Sequence, residues 1–406
     1  MSKKKLAAIL PRYAANLGGG AETLVGSLLE AIVNERSPLF ADYSVEIWTT
    51  CARDHRTWEN FYPAGLAEEE GLTVRRFPVD ERDLDTFISA ELAMVDGKRL
   101  SVEQQLDWLA ASVNSSALYE HIAREGTSFD HLLFAPYLFA TTFWGALIHP
   151  ERSVLVPCLH NEHYAYQEVF RALMQKVQGL IFNAEAERGL ACELFGTAVI
   201  EPKSAVVGMG FDPQNLDVQE SSDPYVLYVG RKERGKNLDL LIEYMRLFKN
   251  YYPDSSLQLV VIGAGEIDFL EENPPWLVDK GFVSTEEKRK LIRGAVSLVQ
   301  PSTNESYSIV LMESWLQEVP VVVHGECAVT KEHVIDSNGG LYFANAVEFA
   351  KIIRELELNE ALRTTLGRSG REYVQTRYSW DAVLERFYNA LELFESRRGA
   401  PQLAVG

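Results

Sequence analysis

Two glutamates, Glu305 and Glu313, stand eight positions apart in the segment Pro301-Ser302-Thr303-Asn304-Glu305-Ser306-Tyr307-Ser308-Ile309-Val310-Leu311-Met312-Glu313. That spacing is a little over two helical turns, so a helix beginning near Ser306 turns both carboxylates toward one edge of a ligand site. An acid at a helix start also complements the dipole, which accounts for Glu305 without any ligand. It accounts poorly for Glu313, which falls mid-helix beside Met312 and Trp315, where a charge needs a partner. Upstream, Gly230-Arg231-Lys232-Glu233-Arg234-Gly235-Lys236-Asn237 gathers four cations within six positions. In a chain of net charge −19 such a cluster reads as a phosphate site, with a solvated loop as the alternative.

Three weaker features accompany these. Asn16-Leu17-Gly18-Gly19-Gly20-Ala21-Glu22 and Gly263-Ala264-Gly265-Glu266 are glycine turns after apolar runs, and the first opens a helix whose free N–H groups suit an anion. Neither has the G-x-G-x-x-G spacing of a dinucleotide site, which disfavours a nicotinamide dehydrogenase. His160, in Cys158-Leu159-His160-Asn161-Glu162, ends a strand and reads either as a structural residue or as a site residue. His163 and His324 read as structural or lining residues. Arg53 and Trp58, with Phe61 and Tyr62, read as ligand-facing residues or as a packed core. Asp83-Leu84-Asp85 has the letters of a metal-binding pair. It lies in a charged helical stretch and reads as a solvated face, so no metal site is expected.

The elements that must position these residues alternate short apolar runs with stretches of helical period, the pattern of parallel β-α units. Strands are expected at residues 6–10, 44–49, 72–77, 131–135, 153–157, 180–183 and 205–207. After a linker around 209–224 containing Glu220-Ser221-Ser222-Asp223, they resume at 225–229, 257–262, 280–283, 295–300 and 320–323. Ala21–Asn34 has an apolar face at helical spacing, and 348–396 reads as helical throughout, with Val383, Phe387, Leu391 and Phe394 on one face. Residues 53–130 form a helical insertion of the kind that carries specificity on a rigid scaffold or adds packing. The expected organisation is therefore an α/β chain with a first domain at 1–215 completed by 380–406, and a second at 216–379.

With 406 residues and 47% hydrophobic content, the chain has material for two cores and is far from disordered composition. Both halves are acidic, which argues against nucleic acid and anionic membranes as partners. Cys51, Cys158, Cys192 and Cys327 are too scattered for a zinc or redox motif and point to reduced thiols in a cytoplasmic protein. The apolar run after Lys3-Lys4-Lys5 ends at Pro11, too short for a signal or membrane segment.

Taken in order, the glycine turn with Glu22, His160, Gly230-Arg231 with Lys236, Gly263-Ala264-Gly265, and Glu305-x7-Glu313 before Val319-Pro320-Val321 resemble the motifs of GT-B glycosyltransferases of family GT4. The likeness covers most of 225–396 and is confined to strand ends in the first half. It implies two Rossmann-like parallel-sheet domains facing a cleft, with the C-terminal helix crossing back to the first domain. It also implies a retaining transfer from a UDP- or GDP-sugar to a glycan, lipid-linked saccharide or small-molecule acceptor, with no cofactor and no metal. By resemblance, Arg231 and Lys236 hold the donor diphosphate and Glu313 the ribose. Glu305 and the amides of Ser306, Tyr307 and Ser308 meet sugar and phosphate, and Phe282 and Val283 flank the nucleobase. Gly19, Gly20 and Gly263 permit close approach of the donor, His160 faces the reacting centre, and Arg53 and Trp58, with Phe61 and Tyr62, are the acceptor-side candidates, offering aromatic faces to a sugar. Ser306 and Ser308 replace the family's commoner glycines, and Asn161 its aspartate. A sugar-nucleotide epimerase, a phosphorylase or a non-catalytic binding protein on this scaffold is the alternative.

Overall fold

The computed structural model describes residues 3–14, 17, 19–216, 223–270, 272 and 274–398, without the side chain of Arg234. Asn16 and Gly18 of the first glycine turn and Glu220-Ser221-Ser222 of the linker lie outside the described residues. The chain forms two compact units, Met1–Gly210 with Trp380–Gly406, and Phe211–Ser379. The break comes earlier than the sequence suggests because Phe211 is tied into the second unit. Its N–H donates to the Tyr378 carbonyl at 2.7 Å and its ring stacks on Tyr307.

The first unit is built on β1 (Lys4–Leu10), β2 (Tyr43–Thr50), β3 (Gly65–Glu69), β4 (Leu72–Phe77), β5 (His131–Phe134), β6 (Ser153–Leu155), β7 (Gly179–Phe182) and β8 (Ser204–Val206). Their order in the sheet is β3-β4-β2-β1-β5-β6-β7-β8. Leu6 to Leu10 are wholly buried, as expected of a central parallel strand covered on both faces. The sheet departs from the expected all-parallel form at one edge, where β3 runs antiparallel to β4. Gly65-Leu66-Ala67-Glu68-Glu69 has no β-branched residue and only partial burial, so its strand character comes from pairing with β4 and not from propensity.

The insertion contributes helices Leu84–Val95, Val102–Ala111 and Ser116–Glu125, begun by the caps Asp83, Ser101 and Ser115. Asp83 accepts from the Thr86 N–H at 3.0 Å and the Thr86 hydroxyl at 2.7 Å, so it serves as an N-cap. The last helix, Trp380–Ser396, packs on this unit with Val383, Phe387, Leu391 and Phe394 fully buried. Glu392 and Glu395 bind Lys4 at 2.7 and 3.0 Å, and Glu395 also reaches His131 at 2.9 Å. Gly179 is required beneath it, because a Cβ there would lie 2.4 Å from the Phe394 ring.

The second unit is a parallel sheet of β9 (Tyr225–Val229), β10 (Gln258–Ile262), β11 (Leu277–Asp279), β12 (Ser297–Gln300), β13 (Val321–His324) and β14 (Gly340–Phe343), in the order β11-β10-β9-β12-β13-β14. The strand expected at 280–283 lies earlier, at Leu277–Asp279. Gly281, at φ 70°, turns the chain out of the sheet, and Phe282 and Val283 sit beyond it in a loop. The short β14 was not evident in the sequence. The helical tail is three helices, Ala346–Leu358, Glu360–Arg377 and Trp380–Ser396, separated where Asn359 caps the second and Tyr378-Ser379 leave the unit. Among the described residues no helix is long and apolar enough to cross a membrane.

Candidate functional site

In the second unit, β9 and β12 are neighbours at the centre of the sheet, and the loops at their carboxyl ends meet. Ligands collect at such strand ends in open α/β sheets. Lys236 Nζ, from the β9 loop, lies 2.8 Å from Glu305 Oε1 in the β12 loop. Asn237 fixes the approach, holding φ 55° at the start of helix Leu238–Tyr251 while its side-chain amide donates to the Pro301 carbonyl at 3.1 Å. The Glu305 segment contains a second left-handed residue, Ser308, at φ 68°. Non-glycine residues in this region carry backbone strain that surrounding structure must hold.

This strain corrects the expected helix start. The helix is Ile309–Leu316, with Ser308 as its N-cap, and Glu305 stays in the loop. Tyr307 turns its ring inward, buried beside His333 and Tyr378, so it can offer a ligand its backbone but not its ring. The Ser308 hydroxyl is buried and has no hydrogen-bond partner among the described residues.

Glu313 does have the partner its mid-helix position demands, and the sequence did not identify it. Lys288, from helix Thr285–Gly294, brings Nζ to 2.5 Å from Glu313 Oε1. Within Glu286-Glu287-Lys288-Arg289-Lys290 it looks like one more residue of a charged helix face. The four-cation cluster also divides. Lys232 is buried and bound to Asp279 at 2.7 Å, so it braces the β9 and β11 loops and is not aimed at a ligand. Arg231 is half exposed beside Glu233 at 3.3 Å, and the Arg234 side chain lies outside the described residues. Lys236 alone of the four reaches Glu305 among the described contacts.

Gly263 is required by a close approach: a Cβ there would lie 1.9 Å from the Gly230 carbonyl oxygen, and its φ is 137°. The turn it opens is laced to the cation loop by the Lys232 N–H, which donates to the Ala264 carbonyl at 3.0 Å. Phe282 stands 84% exposed, a large apolar ring with little of the protein against it, and Val283 is half-buried.

In the first unit, His160 follows β6 and has Nδ1 3.8 Å from Glu162 Oε1; Glu162 in turn accepts from the Tyr137 hydroxyl at 3.2 Å. Asn161 accepts from the Tyr166 hydroxyl at 2.7 Å. The loop is anchored by Glu187, which sequence reasoning passed over. Its buried carboxylate accepts from the N–H groups of Leu159 and Asn183, each at 2.6 Å. Burial pushes the Glu187 carboxyl up to about 8 against the pull of these backbone donors. Gly19 precedes helix Gly20–Val33, and Glu22 in its first turn is held by Arg12 Nε at 2.7 Å. Of the two acceptor-side candidates, Arg53 lines a cavity of about 480 Å³ with Tyr62 and Glu68 to Glu70. Trp58 does not: it is buried at φ 56° against Phe139, with Ala52, Val79 and Val113. Its ring is core, which corrects the sugar-facing alternative. Among the described residues no three His, Cys, Asp or Glu side chains gather as metal ligands.

Residues 216–373 match the family described as glycosyl transferases group 1. An uncharacterized glycosyltransferase of Methanocaldococcus jannaschii is 24% identical over 225 residues, covering 50% of this chain and 56% of the relative. The chain thus spans about half the length of the curated relatives it matches. Sucrose-phosphate synthase from Thermosynechococcus elongatus superposes with a TM-score of 0.70 at 17% identity, over 97% of this chain and 100% of that one. Anabaena HepE, in complex with UDP and glucose, gives 0.65 at 15%, over 96% and 99%. These likenesses identify the fold as GT-B. The second unit supplies the segment that matches the group 1 glycosyl transferases.

Proposed function

We propose that the chain moves a sugar from a UDP- or GDP-linked donor to an acceptor hydroxyl with retention at the anomeric carbon, as a member of family GT4. The observation that carries this reading is the Lys236–Glu305 contact, which sets a cation suited to a diphosphate against an acid suited to sugar hydroxyls at the ends of two central strands. Lys236, with Arg231, receives the departing diphosphate, whose negative charge grows as the glycosidic bond breaks. Glu305 accepts from donor-sugar hydroxyls. The amides of Ser306, Tyr307 and Ser308, leading into helix Ile309–Leu316, meet sugar and phosphate. Glu313 takes the ribose, and the exposed Phe282 with Val283 flanks the base. A UDP donor gains support from the UDP and glucose held by HepE.

The first unit takes the acceptor, a glycan, lipid-linked saccharide or small molecule, through Arg53, with His160 on the reacting side, while Gly19 and Gly20 belong with the residues that bind the donor. The acceptor oxygen bonds to the anomeric carbon on the face from which the diphosphate oxygen leaves, and the acceptor proton passes to that departing oxygen. Lysine and arginine supply the positive charge, so activity persists in EDTA. No disulfide links the four cysteines, three of which are buried, and this supports a cytoplasmic setting.

Thermal melting against a panel of nucleotide sugars tests the donor. A ligand at 100 times its dissociation constant adds about 2.7 kcal/mol to stability, and a panel with no shift refutes the assignment. Product NMR reads the anomeric centre, where inversion refutes the mechanism. Incubation with donor alone separates an epimerase, which needs no acceptor.

A further inference from the structure

Glu313 presents its two carboxylate oxygens unequally. Oε1 is 2.5 Å from Lys288 Nζ, whereas Oε2 is buried and has no hydrogen-bond partner among the described residues. A carboxylate oxygen is acceptor-only, and leaving one desolvated and unmatched is costly. Helix Ile309–Leu316 carries Glu313 between Met312 and Trp315, both fully buried, so the side chain has little room to turn Oε2 to water. The lysine comes from helix Thr285–Gly294, capped by Ser284 and entered just after the exposed Phe282. On that helix Lys290 pairs with Glu286 at 2.8 Å on the outer face, while Lys288 turns inward, its side chain 25% exposed. A pair that only joined the two helices would give no reason to keep the second oxygen buried and unmatched.

We propose that Lys288 is a positioning residue for nucleoside recognition: by holding Oε1 of Glu313 it aims Oε2 at a ribose hydroxyl of the donor. The inference rests on the donor-site reading above and adds a residue outside the motif that suggested it. Lysine does two things here that a neutral partner does not. Its charge makes a stronger contact to Oε1 than a neutral donor would, and the short contact fixes one rotamer of Glu313 before the ligand arrives.

The test is calorimetric titration of the full chain with UDP and GDP, each against its 2′,3′-dideoxy analogue. Wild type should prefer the ribose form of its nucleotide by roughly tenfold or more, the size of one hydrogen bond to a charged group. Lys288→Met should reduce that preference to about twofold or less while affinity for the dideoxy analogue holds, and Lys288→Arg should restore part of it. Lys288→Gln, which keeps a donor to Oε1 without the charge, provides a second variant should the methionine compromise folding. If the variants weaken both nucleotides by the same factor and the preference stays intact, the lysine is structural and the inference is overturned. Equal wild-type affinity for ribose and dideoxy forms overturns the ribose role of Glu313 itself, and with it the donor-site reading on which the inference stands.

Discussion

The carboxylates at the strand ends of the two units are stabilised in opposite ways. In the second unit Glu305 and Glu313 each face a lysine, and the four side chains keep between 14% and 25% of their surface exposed. In the first unit Glu187 is entirely enclosed, reaches no cation among its described contacts, and satisfies its oxygens with the backbone N–H groups of Leu159 and Asn183. Partly exposed ion pairs gain little net energy and can trade one partner for a ligand. A buried acid holding backbone donors is a brace, costly to disturb and unable to exchange. The second unit thus holds its acids in pairs that can be exchanged, and the first fixes the loop that carries His160 through a buried brace.

Breaking the brace should have the largest effect. Glu187→Ala strands two buried N–H groups and leaves a cavity, and should cost roughly 3–5 kcal/mol in urea unfolding of the full chain. A loss below about 1 kcal/mol would show that the loop repacks without it. Breaking the exchangeable pair should spare stability and damage turnover instead. Lys236→Met is expected to lower kcat/KM about 100-fold or more, the scale of removing one group that stabilises developing negative charge. Unchanged turnover would remove Lys236 from the diphosphate.

The two regimes separate further with pH. Glu187 has a native pKa raised from 4.5 to about 8, so between these values the folded chain binds a proton that the unfolded chain has lost. Its contribution is therefore full below pH 4.5 and declines as pH rises through 8, by about 1.4 kcal/mol per unit inside that window. The stability difference between wild type and Glu187→Gln should follow this slope, and a flat difference would mean that the backbone donors keep the acid ionised. The smallest effect on stability belongs to Phe282→Ala. An exposed ring can be truncated at about 0.5 kcal/mol or less, while nucleotide binding weakens about fivefold through lost stacking. Equal binding would place the base elsewhere.

Much of the second unit was legible because its signals are local. Strand β9 is an uninterrupted apolar run ending in a glycine and a cation cluster, and Glu313 announced a missing partner by standing mid-helix between buried residues. Strand β3 was not legible, since a Gly-Leu-Ala-Glu-Glu segment becomes a strand only when β4 is beside it. The strand near 280 was misplaced because Val278 and Val283 are similar in composition, while Gly281 decides where pairing stops. Trp58 was ambiguous for a related reason: an aromatic residue in an insertion looks the same in sequence whether it faces solvent or Phe139.

By itself the sequence determined that the chain is a pair of α/β units on mostly parallel sheets, and that a cation loop and two spaced acids follow strands in the second. Apolar periodicity and charge in a loop are properties of neighbouring residues, and they survive in one dimension. The tertiary structure alone decided which charge meets which. Lys232 and Lys236 are four positions apart in one loop, yet the first is buried on Asp279 and the second reaches Glu305. The left-handed Asn237 and its bond to the Pro301 carbonyl help settle that choice, and helix Thr285–Gly294 delivers Lys288 to Glu313. Partners separated by 25 to 69 residues are chosen by how strands and helices pack, and spacing along the chain carries no trace of that choice.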